Sequence, residues 1–177
     1  MAGLKLDIVQ DAPFASVEEE AFLSLLRTAD CLHRAFHRKI RRWGVTFTQY
    51  NVLRILRGAQ PCGLTCSAIG SRMITADPDI TRLLARLKSL KLIRQQYDRK
   101  DRRVVWTQIS EAGLALLREM DPVIRIIPSE LLRNLTAADV VELIHLLELA
   151  RGTGEEFHGP ALQDGTRISN DKSSSLG

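Results

Sequence analysis

Between residues 77 and 109 the apolar pattern changes from a helical to a strand-like period, and this switch limits the possible folds more than any other feature of the chain. Asp77-Pro78 pairs a good capping residue with a good first helical residue, and predicts a helix running through Leu90. Ile80, Leu83, Leu84, Leu87 and Leu90 share one face of that helix, while Thr81, Arg82, Ala85, Arg86 and Ser89 share the other. Before it, a short helix is expected from Cys66 to about Arg72, followed by a turn over Met73 to Ala76. After it, Leu92–Tyr97 and Val104–Ile109 are rich in β-branched and aromatic residues and read as two strands.

Short helix, tight turn and longer amphipathic helix form a helix-turn-helix, whose second helix can enter a DNA major groove about 12 Å wide. The six residues joining the strands, Asp98-Arg99-Lys100-Asp101-Arg102-Arg103, are too charged to pack in a core, so the hairpin should project as a wing. The charge distribution agrees. Lys and Arg exceed Asp and Glu by 6 over residues 72–103 and by 3 over 1–71, and fall short by 5 over 104–177. A positive surface concentrated in one segment suits a polyphosphate partner, since each phosphate neutralised releases a condensed counterion.

The flanking segments read as helices. Ser16 followed by Glu18, Glu19 and Glu20 starts a helix expected over about 17–42, with Phe22, Leu25, Leu26, Ala29, Leu32, Phe36 and Ile40 on one stripe. Thr46-Phe47-Thr48-Gln49 has capping-box spacing and opens a helix ending near Gly58. Ser110-Glu111 starts another, which Pro122 and Pro128 should bend or divide, and Thr136 starts a last one ending by Arg151-Gly152. That last helix carries an apolar arc from Val140 to Ala150 too wide for one shallow contact, so it needs a partner. Aromatic content of only 5% against 45% apolar residues favours helices packed through aliphatic side chains over a β-sandwich. The first 14 residues hold Asp7, Asp11 and Pro13 and no sustained apolar run, so the expected location is the cytoplasm.

These residues resemble the multiple-antibiotic-resistance regulator (MarR) family. Val45 to Leu53 is similar to its second-helix signature, Thr81 to Leu87 to its recognition-helix core, and Asp98–Arg103 with Ile109–Gly113 to its wing and wing exit. The resemblance spans about residues 20–150. It implies a mainly α fold with a small two- or three-stranded β wing, that is, a winged helix-turn-helix in an interlocked α-helical homodimer. The corresponding division is an N-terminal arm over 1–15, a dimerisation region from 16–44 and 111–151, a DNA-binding domain over 45–110 and a disordered tail over 152–177. Binding of a pseudo-palindromic double-stranded operator, with repression relieved by a ligand or oxidant, is the implied activity.

Carried over by position, Asp79, Thr81, Arg82 and Arg86 of the recognition helix and Arg99, Lys100 and Arg102 of the wing would contact DNA, with Asp101 and Arg103 bracing the wing. His33, His37 and Trp43 would lie by a cleft for a small aromatic or phenolic effector. The sequence departs from the family at Lys91, where Gly is usual, at Lys100 in place of Arg, and at Phe22, where the peroxide-sensing branch has its cysteine.

His33 and His37, four apart on a helix, have a spacing that can bind metal, but two ligands do not make a site, and no metal or other cofactor is expected. Cys31, Cys62 and Cys66 lack a redox motif around them and read as reduced, inert thiols. Two rival functions remain: a nonspecific architectural DNA binder, and an enzyme with an appended winged domain. The second has no Ser-His-Asp context, phosphate-cradling loop or zinc-spaced cluster behind it.

Overall fold

The computed structural model describes residues 12–75, 77 and 79–152, together with Leu4 and Val9. They form two units that divide after Asn134. The first contains α1 (Val17–Ile40), a 3-10 turn (Arg41–Trp43), α2 (Phe47–Gly58), α3 (Cys66–Gly70), α4 (Ile80–Ser89), β1 (Ile93–Tyr97), β2 (Val105–Ile109) and α5 (Glu111–Leu131); the second contains α6 (Ala137–Arg151). The fold is thus mainly helical with a small antiparallel wing, a winged helix-turn-helix. Of the expected arm over 1–15, residues 1–3, 5–8, 10 and 11 lie outside the described residues, as does the expected tail beyond Gly152.

Helix starts follow the capping residues. Ser16 accepts from the Glu19 amide at 3.2 Å, and Thr46 and Thr136 form full capping boxes with Gln49 and Asp139. Several boundaries differ from expectation by one or two residues. α1 stops at Ile40 because the chain tightens into the 3-10 turn, which Gly44 closes in a left-handed conformation at φ 69°. The cap of α4 is Asp79, not Asp77. The Asp79 carboxylate accepts from the Arg82 amide at 3.1 Å, while Asp77 is used one step earlier, accepting from the Asp79 amide at 2.9 Å. The helix therefore begins at Ile80.

Pro122 and Pro128 do not divide α5, which is continuous from Glu111 to Leu131. Both prolines are exposed, and each removes one backbone donor, from the Arg118 and Ile124 carbonyls respectively. Leu117 and Met120, before Pro122, and Ile127, between the two prolines, are fully buried and hold the helix to the core. Packing of that size outweighs an interior proline, which costs about 3 kcal/mol.

The core of the first unit takes Val52, Leu53 and Leu56 from α2, Ile69 from α3, Leu84 and Leu87 from α4, Ile93 and Ile109 from the wing, and the buried face of α5. The strands pair Ile93 with Ile109 through Tyr97 with Val105. A third strand shrinks to one bridge, in which Leu64 and Thr107 exchange both backbone hydrogen bonds at 2.8 and 2.9 Å. Gly63 permits it: at φ 79° any Cβ there would stand 2.5 Å from the Thr107 carbonyl oxygen. Arg57 clamps α2 to α5 by a two-point bond to Asp121 at 2.8 and 3.0 Å.

Candidate nucleic-acid interface

The recognition helix is held at both ends and on one face, which leaves its other face outward. Leu84 and Leu87 are buried beneath it, whereas Thr81, Arg82, Ala85, Arg86 and Ser89 are exposed. Its C-terminus ends in a Schellman motif: the Leu92 amide donates to the Leu87 carbonyl at 3.0 Å and the Lys91 amide to the Lys88 carbonyl at 2.9 Å. Lys91 is the left-handed residue of that motif, at φ 60°. The Lys91 carbonyl in turn accepts from the Ser110 hydroxyl at 2.7 Å, and the same hydroxyl oxygen caps α5 by accepting from the Gly113 amide at 3.0 Å. One buried serine thus ties the exit of the recognition helix to the exit of the wing.

The wing tip is organised by Asp98. One carboxylate oxygen accepts from the amides of Lys100 and Asp101 at 2.7 and 3.1 Å, and the other from the Trp106 indole at 2.9 Å. These bonds, the indole's first, hold the Asp98 carboxyl below its ordinary range. Asp101 and Arg103 form an ion pair at 3.2 Å. Asp98 is the organiser that sequence reasoning missed. The available signal was an aspartate at a strand end before a polar turn, a position that favours side-chain to backbone bonding. With the tip folded this way, Arg99, Lys100 and Arg102 are exposed, and among the described residues none of them, nor Arg82 or Arg86, is in an ion pair. An outward helix face with two unpaired guanidiniums, beside a hairpin with three unpaired cations, can neutralise phosphates and present bidentate donors to base edges.

A second feature lies away from this face. Leu32, His33 and Phe36 of α1, Phe47 of α2, Ile74 before the recognition helix and Ile127 of α5 help line an apolar cleft of about 640 Å³. His33 meets the Phe47 ring edge-on at 5.2 Å. His37 lies in an adjoining cleft with Arg34, Arg38 and Thr46. Trp43 lines neither: its indole donates to Glu119 at 2.9 Å and its ring carries the Arg42 guanidinium at 4.1 Å. Among the described residues no cluster of three metal-ligating side chains occurs. All three cysteines are free thiols, Cys31 and Cys62 exposed and Cys66 half-buried.

A capped helix-turn-helix followed by a basic wing defines a DNA-binding module. Comparison with known proteins makes the assignment narrower. The MarR family model matches residues 43–104. A MarR transcription factor from Planctomyces limnophilus is 36% identical, with 77% of this chain and 99% of that one covered and a TM-score of 0.60. The HTH-type transcriptional regulator MhqR of Bacillus subtilis (strain 168) is 26% identical over 139 residues, covering 77% of this chain and 93% of the relative. The Bordetella bronchiseptica protein BpsR, whose DNA binding is regulated by 6-hydroxynicotinic acid, is 26% identical over 75% of this chain and 99% of its own, with a TM-score of 0.67. This chain belongs to the MarR family and is a DNA-binding transcriptional regulator. Those relatives are regulators and not enzymes, and among the described residues no helix is long and apolar enough to cross a membrane.

Proposed function

We propose that the protein is a ligand-responsive repressor acting in the cytoplasm, which binds a pseudo-palindromic operator as a homodimer. The observation that carries this reading is the outward face of α4, where Thr81, Arg82 and Arg86 stand exposed and, among the described residues, neither guanidinium is in an ion pair. Two such helices, one per subunit, would enter successive major grooves about 34–36 Å apart. Arg99, Lys100 and Arg102 would grip the flanking backbone and minor groove, with Asp101 and Arg103 bracing them. The Asp79 carboxylate is already committed to the Arg82 amide, so in this reading it sets where the recognition helix begins.

Dimerisation through 16–44 and 111–151 is supported by apolar side chains left open in each unit. Phe22 and Leu26 of α1 are 60% and 52% exposed, and Val141 and Leu149 of α6 are 67% and 64% exposed. The effector, a small aromatic or phenolic molecule, would occupy the cleft beside His33, with His37 in the neighbouring recess. Trp43 has no place in that lining. The experiment is titration of operator and random duplexes by fluorescence anisotropy. Arg82→Ala should reduce the preference for operator, and Arg102→Ala should weaken both duplexes evenly. Equal losses on both duplexes for Arg82→Ala would refute the base-reading role.

A further inference from the structure

A cleft of about 560 Å³ separates the recognition helix from the tip-side half of the wing strands. Thr81, Ala85 and Lys88, spaced so that they share one flank of α4, form one wall, and Gln95, Gln96 and Tyr97 of β1 form the other. None of the residues lining it is acidic. Among the described residues the side chains of Lys88, Gln96 and Tyr97 make no hydrogen bond or ion pair, and Tyr97 is 71% exposed, a large aromatic at the end of β1 next to the wing tip. Ala85, the smallest side chain of the helical wall, leaves the middle of the cleft open. The two walls are fixed relative to each other, because the left-handed turn at Lys91 and its bond to Ser110 join the end of α4 to the start of β1 and the end of β2.

A rigid, acid-free slot with an ammonium on one side and amide and phenol donors on the other is complementary to an anion that enters from outside. We infer that this cleft seats a phosphodiester of the DNA backbone, with Lys88 and Tyr97 as its principal contacts and Gln96 beside them. The inference rests on the reading of α4 as the groove-entering helix, since the strand that leaves that groove must cross between helix and wing to place the wing on the far side. Lys88, Gln96 and Tyr97 are thereby positioning residues: they set the register of the protein on the duplex and carry no sequence preference.

The test uses the full chain with Cys31→Ser and Cys62→Ser, so that Cys66, which lines the same cleft, is the single thiol. Lys88→Gln is expected to weaken operator and random duplexes by the same factor, about five- to tenfold, and to lower the salt slope by about 0.9. Tyr97→Phe is expected to weaken both by about two- to fivefold with the slope unchanged. Duplex DNA should slow labelling of Cys66 by N-ethylmaleimide, and inorganic phosphate alone should leave the rate as it was. If both variants bind like the parent while Arg82→Ala still loses operator preference, the cleft proposal is wrong and the groove reading stands. Protection of Cys66 by inorganic phosphate as strong as that by duplex would overturn the proposal in favour of a free-anion site. A parent protein indifferent to duplex DNA would take both readings down together.

Discussion

At the scale of single residues the wing depends on one carboxylate. Asp98 receives three donors from Trp106, Lys100 and Asp101, and each is a bond to its charged form. Because its folded-state pKa is lowered, the stabilisation is fully present above the ordinary aspartate range and is lost as pH falls through the lowered value. The Trp106 indole proton should therefore keep its NMR shift from neutral pH down through the ordinary aspartate range and move only below it. In Asp98→Ala that transition should disappear, and affinity for operator and random DNA should fall together because the wing cations lose their fixed positions. An unchanged titration of the indole proton in the variant would show that Asp98 does not organise the tip.

Residue-scale readability was uneven for a physical reason. Thr46 and Gln49 were legible because a capping box is local in sequence. Asp98 to Trp106 was not, because it exists only once the strands have paired and brought the two side chains together.

Among the elements, the junction of α4, the wing and α5 is the most constrained part of the fold. Lys91 occupies a left-handed position where Gly would have no Cβ strain, a cost on the order of 1 kcal/mol for a non-Gly residue. Part of that is offset by the greater freedom of Gly in the unfolded chain. Lys91→Gly should therefore raise stability by about 0.5–1 kcal/mol, read as a shifted denaturant midpoint with unchanged slope. Loss of stability would mean that the Lys91 side chain makes a contribution larger than its backbone strain.

Gly113, in the first turn of α5, is limited by close approach. A Cβ there would lie 2.3 Å from the Leu92 carbonyl oxygen and 2.7 Å from Ile109. Gly113→Ala should cost about 1–3 kcal/mol, by the overpacking argument, despite the better helix propensity of Ala. A neutral result in chemical denaturation would mean that α5 can shift away from the wing. α5 also shows where element-scale reasoning failed. Pro122 and Pro128 predict a bend or a division when judged by their own chemistry, and the buried Leu117, Met120 and Ile127 decide against the division. The boundary of α4 failed for a different reason. Asp77 and Asp79 are both competent caps, and choosing between them depends on the path of the chain through the turn.

For the whole molecule, the open apolar side chains are the main energetic feature. On α6 no residue is buried, and Val141, Ile144, Leu146 and Leu149 are each more than half exposed. At about 25 cal/mol per Å², covering such surface in a second copy contributes several kcal/mol, enough to drive association. Val141→Glu combined with Leu149→Glu should convert the proposed dimer to a monomer in analytical ultracentrifugation and weaken operator binding at least tenfold, since two half-sites would no longer be held together. A parent protein that sediments as a monomer at micromolar concentration would contradict the dimer outright.

By itself the sequence determined the local identities of the helices, the period switch from α4 into the wing, the basic tip and the outward set of Thr81, Arg82 and Arg86. Each of these follows from spacing along one segment. Only the tertiary structure decided which segments meet: Trp43 with Glu119, Leu64 with Thr107, Asp98 with Trp106, and the clefts beside His33 and Lys88. The reason is that a cap or a stripe draws on neighbours within a turn or two. A cleft draws on side chains from several elements, whose mutual placement depends on how the whole core packs.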